Sequence, residues 1–376
     1  MKTPDIVLHG KNNGEGMVVR YRTAKGAIIF GLAIPNIYDN ADWDLGPTWC
    51  YLIPGEKTTL VDTGRLGNFE VFGNLLAATG KEFSDIGRII VTHSHEDHDG
   101  NLAPIMAASG AELWAHPVYH QMISYHPDVK DGAIHPEMPG SCRLCQMPES
   151  FYRHCLPYHQ QRNALKVNGV VDDNMTTDGD LRFIFTPGHS ADSICVVLGD
   201  EVIFTGDTIL PDITPHPSLA YTFDVNRRIL PEQYRQENAV YGLRNYLKSL
   251  QKLAHVTGQP FPATFPAHRL FYGGQFNIIH SSVERAREIV QFHIDRCRDM
   301  RDIIARQPAK VEEIAHQYFA ASLLAGSGKH MAYNEVRAHL EIMEECSDIR
   351  WVGQNHDLAQ ATGTRNFVAE MGKYLR

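Results

Sequence analysis

The segment Thr92-His93-Ser94-His95-Glu96-Asp97-His98-Asp99-Gly100 constrains this chain more than any other stretch. It packs three imidazoles and two carboxylates into six positions, directly after the apolar run Arg88-Ile89-Ile90-Val91-Thr92, which reads as a strand. A loop leaving a strand can turn alternate side chains toward one point. His93 and His95 can then share one ion, while Asp97 and His98 face a second. Imidazole nitrogen and carboxylate oxygen suit zinc, with iron or manganese as competitors.

Two further turns present the same kind of donor after a strand-like run. Thr186-Pro187-Gly188-His189-Ser190 offers an imidazole, and Phe204-Thr205-Gly206-Asp207-Thr208 offers a carboxylate able to bridge two cations. Pro266-Ala267-His268-Arg269 adds a last imidazole. A lone histidine of this sort is ordinarily a surface or satisfied core residue. Four such segments in this order specify a two-metal ligand set: His93, His95, Asp97, His98, His189, Asp207 and His268.

The frame around these turns reads as alternating strands and helices, a mixed α/β pattern with the chemistry on loops at strand ends. Strands are expected at Trp49–Ile53, Thr58–Val61, Arg88–Thr92, Glu112–Ala115, Leu181–Phe185, Ser193–Leu198 and Glu201–Thr205. Helical spacing marks Phe69–Thr79, residues 102–108 and Glu232–Leu253. From His116 to about Val167 neither period holds, and prolines are frequent, so this stretch reads as an inserted subdomain. Its aromatic residues Tyr119, Tyr125, Phe151, Tyr152 and Tyr158 serve either as a lid over a substrate or as the insert's own small core. In the tail, Val283, Ala286, Val290, Ile294, Cys297, Met300 and Ile304 mark one face of a long helix. Helices at Val311–Leu324 and Asn334–Cys346 and a short strand at Ile349–Gly353 follow. The domain organisation expected is a catalytic part over residues 1–280 and a helical, winged-helix-like module over 281–376.

At this point the chain resembles the metallo-β-lactamase superfamily. Residues 93–98 match its H-x-H-x-D-H motif, His189, Asp207 and His268 match its later ligands, and Asp62-Thr63-Gly64 matches its early D-T-G turn. The resemblance covers about residues 18–115 and 168–275. It implies an αββα sandwich, two sheets enclosed by helices, with metals at one edge. It further implies that His93, His95 and His189 bind one metal, that Asp97, His98 and His268 bind the other, and that Asp207 bridges. Asp62 would orient a ligand without touching a metal. Asp97 would also accept a proton from the nucleophile, and two zinc ions would generate hydroxide from a shared water near neutral pH.

The tail is similar to that of β-lactamase-like hydrolases with a C-terminal winged helix, a group near the glyoxalase II-type thioesterases. There the module caps the active-site mouth or mediates dimerisation, so a homodimer acting on a small-molecule thioester, ester or lactone is the first expectation. A phosphodiesterase or nuclease is the alternative within enzymes. A nucleic-acid-binding or ligand-sensing regulator is the alternative of another class. The regulator is disfavoured because residues 309–376 carry seven lysines and arginines against nine acidic residues, the wrong balance for a DNA reader. The net charge of −9 points the same way. Arg269, which follows His268, is placed to hold an anionic substrate group or to form a surface ion pair. His216, in Thr214-Pro215-His216-Pro217, reads as a loop residue near the pocket.

Cys142, Cys145 and Cys155 fall close together in the insert, with His154 and His159 beside them. Three cysteines with His154 or His159 have the ligand types of a structural zinc site. Reduced loop cysteines, or a disulfide between Cys142 and Cys145, are the alternatives. No apolar run approaches the roughly 20 residues that span a bilayer, and no basic start leads into an apolar stretch at Met1, so a cytoplasmic location is expected.

Overall fold

Alternation along the strands decides the layering. The structure, a computed structural model, describes residues 3–36, 43–124, 157–177, 180–256, 263–326 and 328–376. Among these residues one sheet runs in chain order through β1 (Asp5–Leu8), β2 (Val18–Arg22), β3 (Ile28–Ile34), β4 (Thr48–Ile53), β5 (Thr58–Val61), β6 (Ile86–Ile90), β7 (Glu112–Ala115) and β8 (Val167–Val170). Its pairs are antiparallel up to β5 and parallel from β5 to β8. A second sheet is ordered β13 (Ala263–Pro266), β12 (Val202–Gly206), β11 (Ile194–Leu198), β10 (Leu181–Phe185), β9 (Thr176–Thr177). Its pairs are antiparallel except the parallel β12–β13.

In β4, Trp49, Tyr51 and Ile53 share one core with Phe183 and Phe185 of β10 and Val196 of β11, so these faces lie between the sheets. Cys50 and Leu52 point the other way, onto a core with Phe72, Leu75 and Leu76 of the helix Phe69–Ala78. Likewise Ile184, Cys195 and Val197 turn outward onto Leu243, Leu247 and Leu250 of the helix Leu243–Val256. Successive strand residues thus feed opposite cores, which is the period-two geometry of a strand buried on both faces. The layers are helix, sheet, sheet, helix: an αββα sandwich.

Four boundaries differ from the periodicity. Where spacing predicts a helix over Glu232–Leu253, the helix begins at Leu243. Asn238 takes the backbone N–H groups of Val240 and Tyr241 on its Oδ1, and Gly242 sits at φ +93°, so the local side chain outcompetes the helical ladder. Val240 is nevertheless buried with Leu243, Leu247, Leu250 and Leu253, so the apolar stripe is correct and only the start shifts. The stretch read as irregular from His116 opens with a helix, Pro117–Ser124, that buries Val118, Tyr119, Met122 and Ile123. The helix from Val311 ends at Tyr318, because Phe319 is extended, and the next one spans Gly328–Glu345, earlier than expected.

The long helix Ser282–Arg306 starts on Ser281, whose side chain accepts from the Glu284 N–H. It buries Ala286, Val290, Ile294, Cys297, Met300 and Ile304 in the core that Leu243–Val256 also lines. Two small antiparallel hairpins follow the second sheet: β14 (Phe271–Tyr272) with β15 (Gln275–Phe276), and β16 (Ile349–Val352) with β17 (Leu358–Ala361). Among the described residues no helix is long and apolar enough to cross a membrane.

Candidate metal centre

Five strand ends deliver the polar residues to one edge of the sandwich. Asp62 follows β5, His93 to His98 follow β6, His189 follows β10, Asp207 follows β12 and His268 follows β13. Gly188 is what lets the His189 turn form. It sits at φ +127°, and a Cβ there would come within 2.2 Å of the Tyr246 backbone nitrogen. Asp62 itself takes φ +60°, an uncommon conformation outside glycine.

The seven side chains converge in two overlapping groups. His95 Nδ1 lies 3.0 Å from His93 Nε2 and 3.1 Å from His189 Nε2. His268 Nε2 lies 3.2 Å from Asp97 Oδ2, and His98 Nε2 lies 3.7 Å from the same oxygen. Asp207 stands between the groups. Its Oδ2 is 3.4 Å from His189 Nε2, while its Oδ1 is 3.5 Å from His98 Nε2 and 3.4 Å from His268 Nε2.

The other nitrogen of most of these rings has its own partner, which fixes the tautomer. His98 Nδ1 donates to Asp62 Oδ2 at 2.9 Å, His189 Nδ1 to the His216 carbonyl at 2.7 Å, and His268 Nδ1 to the Pro47 carbonyl at 3.2 Å. The Thr92 hydroxyl donates to Asp62 Oδ2 at 2.8 Å, so at 3.1 Å it can only accept from His93 Nδ1. Each of these four rings therefore turns Nε2 inward. Asp62 is tied down further by the Thr92 N–H, 2.7 Å from Oδ1.

Electrostatics divide the groups. Burial, with neighbouring imidazoles, holds His93 well below the ordinary imidazole range and His95 at about 3. Burial lowers His189 as well. These are three neutral nitrogen donors. Burial acts the same way on His98 and His268, but there Asp97 and Asp207 outweigh it and raise both. A divalent cation suits this arrangement, because His98 Nε2, His268 Nε2 and Asp207 Oδ1 are buried and make no hydrogen bond among the described residues. Leaving such atoms unsatisfied costs roughly 1–3 kcal/mol each, and convergent lone pairs need a positive partner.

Some functional positions lie outside what the motifs announce. Thr48 donates its hydroxyl to Asp97 Oδ2 at 3.4 Å. Asp99, one residue past the motif, is buried under Tyr119 and Tyr158, which both donate to it, and pairs with Arg162 at 2.9 Å. The same Arg162 nitrogen donates at 3.0 Å to the carbonyl of Ser94, between His93 and His95. Tyr158 and Arg162 arrive from the end of the stretch read as an insert, whose aromatic residues the sequence offers as lid or small core. Arg269 is engaged by Asp212, the Asp44 carbonyl and the face of Tyr272, so it forms the ion pair of the two alternatives. His159 is buried beside Tyr158. Cys142, Cys145, His154 and Cys155, along with Tyr125, Phe151 and Tyr152, lie outside the described residues.

Comparison with known proteins accords with this geometry. The family model described as the metallo-beta-lactamase superfamily matches residues 43–288. The Beta-lactamase-like protein 2 homolog of Drosophila melanogaster is 25% identical over 249 residues, 64% of this chain and 66% of that protein. An atrochrysone carboxyl ACP thioesterase of Aspergillus fumigatus is 29% identical over 158 residues, 42% of this chain and 38% of that protein. The chain thus spans less than two thirds of either relative's length. A solved metallo-beta-lactamase family protein from Thermus thermophilus superposes with a TM-score of 0.64 at 20% identity, over 89% of this chain and 98% of the other, a likeness of fold. With the family model covering well over half of its length and the His/Asp clusters at the edge of an αββα sandwich, this chain belongs to the metallo-beta-lactamase superfamily of metal-binding hydrolases.

Proposed function

We propose that this chain is a binuclear hydrolase that cleaves an acyl thioester, with oxygen esters and lactones as related substrates. Asp207 carries the reading: its two oxygens face different histidine groups, one toward His189 and the other toward His98 and His268. In this reading His93, His95 and His189 hold one cation, Asp97, His98 and His268 hold the second, and Asp207 bridges them. Divalent cations in such a site, zinc by donor type, lower the pKa of water toward neutrality and polarise an acyl carbonyl.

The chain's own residues supply positioning and proton handling. Asp62, Thr92, His216 and Pro47 hold the rings in the tautomer that presents Nε2. The Asp97 side chain is 19% exposed against 7% for Asp207, so it is the carboxylate that reaches water and accepts its proton. The C-terminal module packs against the segment that leads into β4. Trp43 donates its indole N–H to the Leu323 carbonyl and packs on Phe319, next to Asp44, which accepts from the Tyr272 hydroxyl at 2.7 Å. That module, taken as residues 281–376, therefore acts as a cap over a small-molecule site.

Thioester preference rests on the acyl-carrier thioesterases among the relatives. Side-by-side assay of acyl-CoA thioesters, lactones and bis-p-nitrophenyl phosphate tests it. The thioester is expected to turn over fastest, and a preference for the phosphodiester would replace this substrate class with the nuclease-type one.

A further inference from the structure

A second group of buried donors lies away from the strand ends, between the long helix and the helix Gly328–Glu345. We propose that His293, Glu335 and His339 form a separate binding site for a divalent transition metal, zinc by donor type. Glu335 and His339 are four residues apart and so share one helix face, and His293 reaches them from the long helix. His293 and His339 are fully buried and Glu335 is 3% exposed. One donor atom from each lies within 4.8 Å of the other two.

The details match those of the first centre. His293 Nδ1 and His339 Nε2 are 2.9 Å apart, close to the separation between His95 and its two neighbours. His339 Nδ1 donates at 2.7 Å to the Glu335 backbone carbonyl, which leaves Nε2 with its lone pair. Outer hydrogen bonds of this kind orient metal-binding histidines generally. Arg296 occupies Glu335 Oε1 and leaves Oε2 for a ligand. His216 Nε2 lies 3.7 Å from that Oε2. The Nε2 atoms of both His216 and His293 are buried without a hydrogen bond among the described residues. Two nitrogens and a carboxylate oxygen are a borderline donor set that favours zinc over magnesium or calcium.

A cation here would join the C-terminal helices to the hydrolytic centre, because the His216 carbonyl takes the proton of His189. The alternative is a proton shared between His293 and His339, and metal counting separates the two. In the 376-residue chain purified with zinc, the His293→Gln/His339→Gln double variant is expected to lose one equivalent relative to the unaltered chain. A His95→Ala/Asp207→Ala chain is expected to keep that equivalent, so failure of this site and failure of the hydrolytic reading are told apart. An unchanged count in the double variant overturns the proposal. Because these side chains are buried and the variant can fail to fold, anomalous scattering at the zinc edge from crystals of the unaltered chain gives a second readout. A peak bounded by His293, Glu335 and His339 supports the site. Direct ring-to-ring contact with no peak overturns it.

Discussion

Replacing Arg162 with methionine keeps most of the side-chain volume and removes the only positive charge hydrogen-bonded to Asp99 among the described residues. The pair is nearly fully buried, with side chains 5% and 0% exposed, so solvent cannot take over the lost partner. Tyr119 and Tyr158 still donate to the carboxylate, but the Ser94 carbonyl also loses its donor. Breaking one side of a buried pair costs about 3–5 kcal/mol, and the tyrosines place the expected loss at the lower end, about 3 kcal/mol. Urea unfolding at fixed zinc, with the Asp99→Asn and double variants completing a cycle, measures it. The two substitutions are expected to couple by about 1–3 kcal/mol, the double variant regaining part of the loss because no unpaired charge remains. The single variant should also hold zinc more weakly, since Ser94 lies between His93 and His95. A loss under about 1 kcal/mol together with unchanged zinc content refutes the reasoning.

Asp62→Asn turns one of the two accepting oxygens into an amide NH2, so the Thr92 N–H and His98 Nδ1 can no longer both be satisfied, and zinc affinity is expected to fall roughly 10- to 100-fold, as read by competition with a chelating dye; equal affinity contradicts the role. Gly188→Ala forces an L-residue to φ +127° against the Tyr246 backbone, which should cost at least about 1–3 kcal/mol of stability and displace His189, seen as lower melting temperature and lower zinc content together. Burial raises Glu341 from 4.5 to about 7, although the backbone N–H groups of Ala220 and Tyr221 donate to it. A raised carboxyl stabilises the fold fully below pH 4.5, and that contribution is lost as pH rises through 7. Glu341→Gln should therefore flatten the stability profile across this window by about 3 kcal/mol, at about 1.36 kcal/mol per pH unit; profiles that stay parallel count against it.

The legibility of the chain in its sequence follows the range of the interactions. His93 to His98, His189, Asp207 and His268 each sit on a short strand-and-turn motif, so local pattern suffices to find them. The sandwich is legible for the same reason, since β4 and β11 bury both faces and read as continuous apolar runs. The start of the helix at Leu243 is hidden because Asn238, itself unremarkable in sequence, redirects two backbone N–H groups. The partners that fix the rings are harder still. Pro47 and His216 act through carbonyls, which every residue has, and only the fold reveals that theirs face His268 and His189. Arg162 reaches Ser94 across 68 positions, and no spacing rule connects them. Glu335 and His339 do carry a signal, an i, i+4 pair on a helix, but His293 joins them only through helix packing.

The most direct measurement is hydrolysis of an acyl thioester by metal-free chain as zinc is returned in steps. Turnover is expected to be absent at the start, to recover as zinc binds, and to stay absent in His95→Ala and Asp207→Ala chains given the same zinc. Undiminished turnover in the metal-free chain, or recovery in the Asp207→Ala chain equal to that of the unaltered one, contradicts a bridged two-metal centre.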